Sequence, residues 1–514
     1  MTWLWLNMPV GAAFFAAWTA IPLWLVLKHP DTAPGPQASA VTPAPAGPAG
    51  RPEGTASAGE RITALAASRR GRSGEAISAP HLRLSTSRSD MSPRRTDAKM
   101  IRAGHRRRYD AIVVGARVAG AATALLLARR GFDVLLVDRA RFPSEIPHGH
   151  YVHMHGPPRL AAWGLLDRVL ATGCPPITSI TMDLGDFPLT GRGLVVDGVP
   201  VGVAPRRAAL DKVLIDAAIE AGAEFRDRFP VHDLTVEDGR VTGIRGRGGL
   251  TERARFVIGA DGRNSRVARR VNAPAYARQP TLACWYFSYW SGVAWDGLEM
   301  YRRGHRMIFA HPTNDDLFAV FVGWPITELP DVRPDIEAQM MALADRVPGL
   351  SQRLRSGRRE ERIYGAAQLP NFLRKPYGPG WALVGDAGCH KDPVRALGIC
   401  DALRDAELLA DSLTATLSAG PAEAEALSEY ERRRNEARMD DYQANLRAAR
   451  FSPPTPEILL ARAAARDDPQ AMAQFCLAWE GRIPRQTPAA KLYEPPRADL
   501  DAKYRPTSQH AETA

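Results

Sequence analysis

The stretch YDAIVVGARVAG, residues 109–120, begins the part of the chain whose pattern decides the fold. Its first six residues are a short apolar run, which is typical of a buried parallel strand. Gly115 follows at the predicted turn, and an Ala- and Leu-rich helix is expected through Arg130. A second apolar strand over 133–137 ends at Asp138. The segment therefore predicts a strand, a tight turn, a helix, a second strand and an acid.

This order of elements has the physical requirements of a dinucleotide site. Gly115 permits a sharp turn, and Gly120 allows the helix to pack closely on the strand. The start of the helix offers free N–H groups and a positive dipole end to a diphosphate. Asp138, 23 residues after Gly115, can accept hydrogen bonds from ribose hydroxyls. Ala119 and Arg139 complete the candidate cofactor-binding residues of this segment.

Arg117 departs from the G-x-G-x-x-G pattern, because it replaces the middle glycine. A side chain there stands where the backbone would approach a phosphate, which weakens the match. The arginine can instead lean outward and help to neutralise the phosphates. On this motif alone, an ordinary βαβ unit remains the alternative to a dinucleotide site.

Two later segments repeat the pattern of a buried strand that ends at an acid. In FVIGADGRNSR, residues 256–266, the strand runs into a turn that carries Asp261. In WALVGDAG, residues 381–388, it ends at Asp386, and a long helix is predicted over about 399–417. Three such strand ends within one chain favour a single extended cofactor.

These three motifs, in this order and spacing, resemble those of the group A flavoprotein monooxygenases, whose model member is para-hydroxybenzoate hydroxylase. Geranylgeranyl-reductase-like and halogenase-like flavoproteins share the scaffold, but no WxWxIP segment typical of halogenases occurs here. The resemblance covers about residues 109–450. It implies an α/β fold, in which a glutathione-reductase-like, Rossmann-type FAD-binding domain carries an inserted antiparallel-sheet substrate domain.

The resemblance also implies roles for individual residues. Asp386 would bond the ribityl hydroxyls of FAD, and Gly398 would begin a helix whose N–H groups stabilise the reduced flavin. Asp261 belongs to a motif associated with FAD and NAD(P)H, although it can be only a turn former. Arg207 of an RxxLD pattern would approach FAD, or else be an exposed residue at a helix start. Val231 would offer its backbone to adenine.

Four histidines crowd the segment PHGHYVHMHG, residues 147–156. In the family this loop lies near flavin and substrate, so His150 and His153 are weak candidates for substrate contact or proton transfer. Surface-loop histidines and a metal site are the alternatives. The five cysteines include no CxxC pair, which argues against a zinc site and fits a reducing compartment. We therefore predict no metal.

Two aromatic and β-branched stretches, 282–290 and 317–324, predict antiparallel strands of the substrate domain. Their aromatic residues can line a ligand or simply form core. Helices are expected over 456–466 and 469–479. The predicted organisation is a membrane-anchor segment 1–28, a linker 29–108, FAD-binding parts 109–274 and 366–450, a substrate sheet 275–365 and a C-terminal cap 451–514.

The net charge of +11 belongs to the N-terminal region. Residues 51–108 contain 14 Lys/Arg and 5 Asp/Glu, so the part from 109 onward has a net charge of only +2 and no nucleic-acid partner is predicted. Residues 2–27 carry no charge and can span a membrane, which would tether a cytoplasmic body. Alternatively, residues 1–90 precede the natural start at Met91 or Met100. The linker is Pro/Ala- and then Arg/Ser-rich, which predicts disorder.

The function implied by the resemblance is an FAD-dependent monooxygenase. NAD(P)H would reduce the flavin, O₂ would add at its C4a atom, and a hydroxyl group would pass to a small aromatic or polyketide-like molecule. A reductase or dehydrogenase acting on prenyl double bonds is the first alternative. A non-catalytic, membrane-tethered flavoprotein that serves as a sensor or scaffold is the alternative from another class.

Overall fold

The computed structural model describes residues 108–418 and 422–483. Its strands, in chain order, are β1 Arg108–Val114, β2 Val134–Val137, β3 Val152–His153, β4 Pro176–Ile177, β5 Ile180–Asp183, β6 Pro188–Gly191, β7 Val195–Val196, β8 Val199–Pro200, β9 Gly202–Val203, β10 Glu224–Arg226, β11 Asp233–Glu237, β12 Arg240–Arg245, β13 Thr251–Gly259, β14 Ala275–Gln279, β15 Ala283–Ser291, β16 Leu298–Arg303, β17 Arg306–Pro312, β18 Phe318–Pro325, β19 Arg358–Arg359, β20 Tyr364–Ala366, β21 Asn371–Arg374, β22 Tyr377–Gly378, β23 Trp381–Leu383 and β24 Cys389–His390.

The α-helices are α1 Val118–Arg129, α2 Gly156–Ala162, α3 Leu166–Leu170, α4 Arg207–Glu220, α5 Arg266–Arg270, α6 Leu329–Val332, α7 Ile336–Ala344, α8 Leu350–Ser356, α9 Gly398–Leu417, α10 Glu423–Ala449, α11 Pro456–Ala465 and α12 Pro469–Trp479. Short 3₁₀ turns include Gly385–Ala387 and Pro393–Arg395. Helices α11 and α12 occupy the two ranges predicted to be helical near the end of the chain.

The first large sheet has a parallel centre in the order β10, β2, β1, β13, β23. Strand β13 also pairs near its start with β12, which forms an antiparallel hairpin with β11. Alternate residues of the central strands point to opposite faces, as strand geometry requires. One set packs with α1, α4 and α9, and the other packs with the residues of the hairpin. Burial on both faces explains why these strands have continuous apolar sequences.

The second large sheet has the order β19, β15, β18, β17, β16, β5, β6, with β20 also paired to β15. All of its neighbours are antiparallel except β16 and β5. Helices α7 and α8 cover one face, while the other face carries a cluster of aromatic side chains. Strands β5 and β6 lie within 109–274, the range predicted for the FAD-binding part. The second sheet therefore draws on sequence from both sides of β13, because β5 pairs with β16 rather than with the first sheet.

The C-terminal helices pack on this second sheet. Cys476 of α12 lies so close to β6 that a Cβ atom on Gly191 would be 2.8 Å from its sulfur. The buried Arg462 of α11 donates a hydrogen bond to Asp186 at 2.9 Å, in the β5–β6 connection. None of the helices within 108–418 and 422–483 is both long and apolar enough to cross a membrane. The predicted span over 1–28 and nearly all of the predicted linker lie outside the described residues.

Candidate functional site

The parallel strands of the first sheet bring the three sequence motifs to one edge. The residues at which four of these strands end in register are Val114, Val137, Gly259 and Leu383. Hydrogen bonds continue this alignment into the turns, since Gly115 N donates to Val137 O and Ala260 N donates to Val114 O, each at 2.8 Å. The carboxyl edge of a parallel sheet is where such folds bind ligands.

Small residues are required where the motifs touch. Gly115 has φ +106°, and a Cβ atom there would lie 2.5 Å from Ala260 O. A Cβ on Gly120 would lie 1.7 Å from the carbonyl oxygen of Gly115, so the helix can approach the turn only without a side chain. Gly385, at φ +60°, would place a Cβ 2.7 Å from that of Ala119. Thus the first and third motifs are in direct contact at the start of α1.

Asp138 lies beside the diphosphate-type turn, where the sequence predicted it. Its Oδ2 accepts from Ala116 N and its Oδ1 accepts from Ala140 N, each at 2.8 Å. The side chain is partly exposed, and a carboxylate has lone pairs for further donors, so ribose hydroxyls can bind there. Arg139, the other candidate of this segment, is exposed.

Arg117 extends away from the turn and pairs with the acid of the RxxLD pattern. Its guanidinium donates to Asp211 at 2.7 Å and to the carbonyl of Ser144 at 2.9 Å. Asp211 is fully buried and also accepts from Arg207 at 3.3 Å. Arg117 is therefore paired within the protein with a carboxylate that it shares with Arg207. Arg207 is buried at the start of α4, and its Nε has no hydrogen-bond partner among the described atoms.

His148 lies near charged groups of all three motifs. Solvent reaches its ring, yet the surrounding protein desolvates it and, with the charge of Arg207, lowers its pKa to about 4. Asp386 opposes this shift, while Arg263 and Arg117 add to it. The imidazole is therefore neutral at physiological pH and can both donate and accept a hydrogen bond. Sequence reasoning did not single out Arg263, whose only signal was its position directly after the Asp-Gly turn.

Asp261 is used inside the protein as a helix cap. Its carboxylate accepts from Arg266 N at 2.6 Å and from Val267 N at 3.2 Å, at the start of α5. The side chain of Arg266 in turn donates to Val231 O at 2.7 Å. The contacts of Asp261 are therefore those expected of a turn-forming residue. The hydrogen bond from Arg266 holds the backbone of Val231 against the same turn.

Asp386 and Gly398 are the exposed points of the third motif. All residues from 381 to 390 are buried except Asp386, which is partly exposed. Gly398 is the first residue of the 20-residue helix α9, and a Cβ built there would have nothing within 4 Å. The positive end of the α9 dipole therefore faces open space. A carboxylate and a helix start on one open site suit the hydroxyls and the electron-rich edge of a flavin.

His150 lies below the surface, facing the second sheet. Its ring is fully buried, with Nδ1 3.0 Å from Ala204 O and Nε2 3.1 Å from the hydroxyl of Tyr289. A carbonyl can only accept, so Nδ1 carries the proton and Nε2 accepts from Tyr289. Burial and the neighbouring His311 lower the pKa of His150 well below its usual value. The residue is a neutral hydrogen-bonding group.

His153 and His155 lie behind α9, away from His150. His153 contacts Glu480 at 2.7 Å through Nδ1 and Arg395 O at 3.1 Å through Nε2. Burial lowers the pKa of His155 to about 3, and neither of its ring nitrogens has a partner in the described structure. The four histidines are thus dispersed, and within 108–418 and 422–483 no three His, Cys, Asp or Glu residues are arranged to hold a metal ion.

Comparison with known proteins names the cofactor. Residues 108–443 match the family described as FAD binding domain. The chain belongs to this family. The match spans all three motifs, so FAD is the cofactor of this chain, and a reduced nicotinamide donor is typical of the family. The predicted resemblance, the FAD cofactor and the assignment as an FAD-dependent oxidoreductase are confirmed.

Individual relatives of this FAD-binding chain differ in the reaction that their names state. Digeranylgeranylglycerophospholipid reductase of Methanocella arvoryzae is 27% identical over 346 residues, which are 64% of this chain and 83% of that protein. The myxobacterial chondrochloren halogenase CndH has a TM-score of 0.61 at 24% identity, covering 70% of this chain and 89% of its own. PqsL of Pseudomonas aeruginosa, named a probable FAD-dependent monooxygenase, has a TM-score of 0.57 at 21% identity, covering 72% and 99%. These structures share the fold, which confirms the predicted fold class.

Proposed function

We propose that this flavoenzyme is an NAD(P)H-dependent monooxygenase that hydroxylates a small, planar aromatic molecule. The observation that carries the proposal is the ring-lined face of the second sheet, whose Tyr289 and Phe321 are in ring contact with the buried His150. Bound FAD, reduced by NAD(P)H, would supply two electrons for the reaction with O₂; one oxygen atom would enter a C–H bond of the substrate, and the other would leave as water with two protons, one from NAD(P)H and one from solvent. The protein contributes binding, orientation and exclusion of water.

FAD would be held along the strand edge described above. The diphosphate would lie over the Gly115–Gly120 turn, where the N–H groups at the start of α1 are directed. Asp138 would accept from the adenosine ribose, and Asp386 from the ribityl chain. Arg207, whose Nε is buried without a partner among the described atoms, has a donor available for the cofactor.

The proposed substrate wall consists of rings from three adjacent strands. Its members on β15, β17 and β18, which we call the ring face, are Trp285, Phe287, Tyr289, Phe309, His311 and Phe321. Phe287 and Phe321 stack with centroids 4.6 Å apart, and His150 meets His311 edge to face at 5.0 Å. Aromatic faces favour an aromatic ligand by offset stacking. Their burial also keeps water from the reacting atoms.

A hydrogen-bond chain at one end of the ring face can orient a substrate. The guanidinium of Arg206 lies 4.4 Å over the ring of Tyr289, whose hydroxyl donates to His150. Burial raises the pKa of Tyr289 well above its usual value, so the phenol stays protonated. A protonated phenol beside a neutral imidazole can hydrogen-bond a polar group of the substrate without adding a charge among the apolar rings.

The test uses the purified full-length chain. It should be yellow, show a flavin spectrum, and bleach when titrated anaerobically with NADH or NADPH. With a panel of phenols and 2-aminobenzoyl compounds, at least one should accelerate NAD(P)H oxidation and acquire one atom of ¹⁸O from ¹⁸O₂. Flavin reduction that is never accompanied by ¹⁸O transfer across the panel would contradict the monooxygenase assignment.

A reductase is the second candidate, because the reductase from Methanocella arvoryzae aligns with 64% of this chain. In this reaction the reduced flavin would give a hydride to a prenyl double bond, and a proton would complete the saturation. The two candidates are distinguished by whether the reaction requires O₂. A prenyl substrate that is saturated anaerobically, with consumption of one NAD(P)H per double bond, would favour this candidate over hydroxylation.

A further inference from the structure

Behind the start of α9 lies a group of five charged residues, which we call the buried charge cluster: Lys391, Asp401, Arg404, Asp405 and Arg438. Lys391 Nζ is 2.7 Å from Asp401 Oδ2, and Arg404 is 2.8 Å from the other oxygen. Arg438 pairs with Asp405 at 2.5 Å and lies 3.6 Å from Asp401. The side chains of all but Arg404 are 5% exposed or less. Removing charged side chains from water costs free energy unless opposite charges compensate, so we next count the charges of the cluster.

The cluster carries one more positive than negative charge. Three cations face two carboxylates, and the cations hold the pKa of Asp401 well below its usual range. The pKa of Arg438 is raised well above its usual value by the two aspartates, despite its desolvation. Counted with their formal charges, the five groups sum to +1. Two nearby ion pairs, Arg395–Asp441 and Arg159–Glu407, are each neutral in sum, while the buried Arg434, one turn before Arg438, is a further cation beside the cluster.

The cluster is adjacent to the open start of α9. Asp401 lies three residues after Gly398, which is roughly 4.5 Å along the helix axis, and Asp405 lies about 10 Å along it. Lys391 comes between Asp386 and Gly398 in sequence, the two exposed points of the third motif. The Nζ atom of Lys391 is close enough to Asp401 Oδ2 for an ion pair, but the angles are not those of a hydrogen bond. The excess charge thus reinforces the positive end of the helix dipole.

We infer that the buried charge cluster raises the reduction potential of the bound FAD, with Lys391 as its principal residue. Two-electron reduction adds negative charge to the flavin, and a fixed positive charge nearby stabilises the reduced form more than the oxidised form. The residues act through space and need no contact with substrate. They are therefore tuning and positioning residues, distinct from the ring face.

The test compares two substitutions of opposite sign in the full-length holoprotein. Lys391→Met lowers the net charge of the cluster to zero, while Asp405→Asn raises it to +2, because the arginine left behind cannot lose its proton. Lys391→Met should shift the oxidised-to-reduced ratio about tenfold toward oxidised FAD, which is about 30 mV for a two-electron couple. Asp405→Asn should shift it the opposite way by a smaller factor. The midpoint potential is measured by redox-dye titration.

Three controls separate charge from damage to the fold. Lys391→Arg keeps the charge and should keep the wild-type potential, and the double variant Lys391→Met/Asp405→Asn should return toward it. Arg432→Met removes one positive charge from the exposed face of α10, where Arg432 pairs with Glu429, and should leave the potential unchanged. Shifts of the same sign in both single variants, or no shift in either, would overturn the inference. If Lys391→Met fails to retain FAD, the sign of the Asp405→Asn shift decides.

Discussion

Restoring the missing glycine of the first motif should destabilise this protein. In the Arg117→Gly variant the fully buried Asp211 keeps only its 3.3 Å contact with Arg207 and loses the 2.7 Å pair. At 2.7 Å and an effective dielectric constant of about 20, the lost attraction is about 6 kcal/mol before desolvation is counted. Breaking a buried pair typically costs 3–5 kcal/mol, and one partner remains here. We therefore expect a net loss of about 2 kcal/mol.

The assay is urea unfolding at saturating FAD, in which the midpoint falls while the slope stays constant. A double-mutant cycle adds Asp211→Asn alone and the double variant Arg117→Gly/Asp211→Asn, and it isolates the Arg117–Asp211 interaction because Arg207 is present in all four proteins. The resulting coupling energy should be about 1–3 kcal/mol, as found for groups in direct contact. A coupling energy below about 0.5 kcal/mol, or an Arg117→Gly variant as stable as the wild type, would refute the account of this motif.

Three further outcomes follow from single positions. Gly120→Ala should release FAD, because its Cβ would lie 1.7 Å from a backbone oxygen, whereas Gly149→Ala, with its nearest neighbour at 3.9 Å, should retain the flavin absorbance through gel filtration. Ala396→Gly should raise the free energy of unfolding by about 0.5–1 kcal/mol in urea, because Ala396 has φ +50° and glycine adopts this conformation without strain; an unchanged midpoint would argue against strain there. Burial raises the pKa of Asp392 to about 6, so the folded protein binds its proton more tightly than the unfolded chain does, and this contribution to stability is lost as pH rises from about 4 to 6. Asp392→Asn should remove that slope and gain about 2 kcal/mol at pH 8, as judged from unfolding curves at several pH values.

The strand-edge site was largely predictable because its requirements are local. A buried strand, a turn that excludes a side chain and a following helix are specified within about a dozen residues, as at 109–120. The register of β1, β2, β13 and β23 then brings the predicted Gly115, Asp138 and Asp386 to one edge. Local sequence patterns also predicted the two C-terminal helices, α11 and α12.

The contacts of Arg117 were not predictable, because its partner Asp211 is 94 residues away. Both residues belong to recognised motifs, but no pattern within either motif states that they pair. The buried charge cluster is similar, since α9 and α10 must pack before Arg438 can meet Asp405, 33 residues earlier. The place of β5 and β6 in the second sheet was also not predictable, because β5 pairs with β16, more than 100 residues later in the chain.

Local sequence patterns were therefore enough to predict the family, the cofactor and the residues at the ends of the parallel strands, since short-range sterics and hydrogen bonding encode each of them. Only the packed fold shows which histidines are buried and neutral, which acid pairs with Arg117, and where excess charge collects beside α9. These properties depend on desolvation and on charges that are distant in sequence. Both are set only when helices and sheets pack against one another.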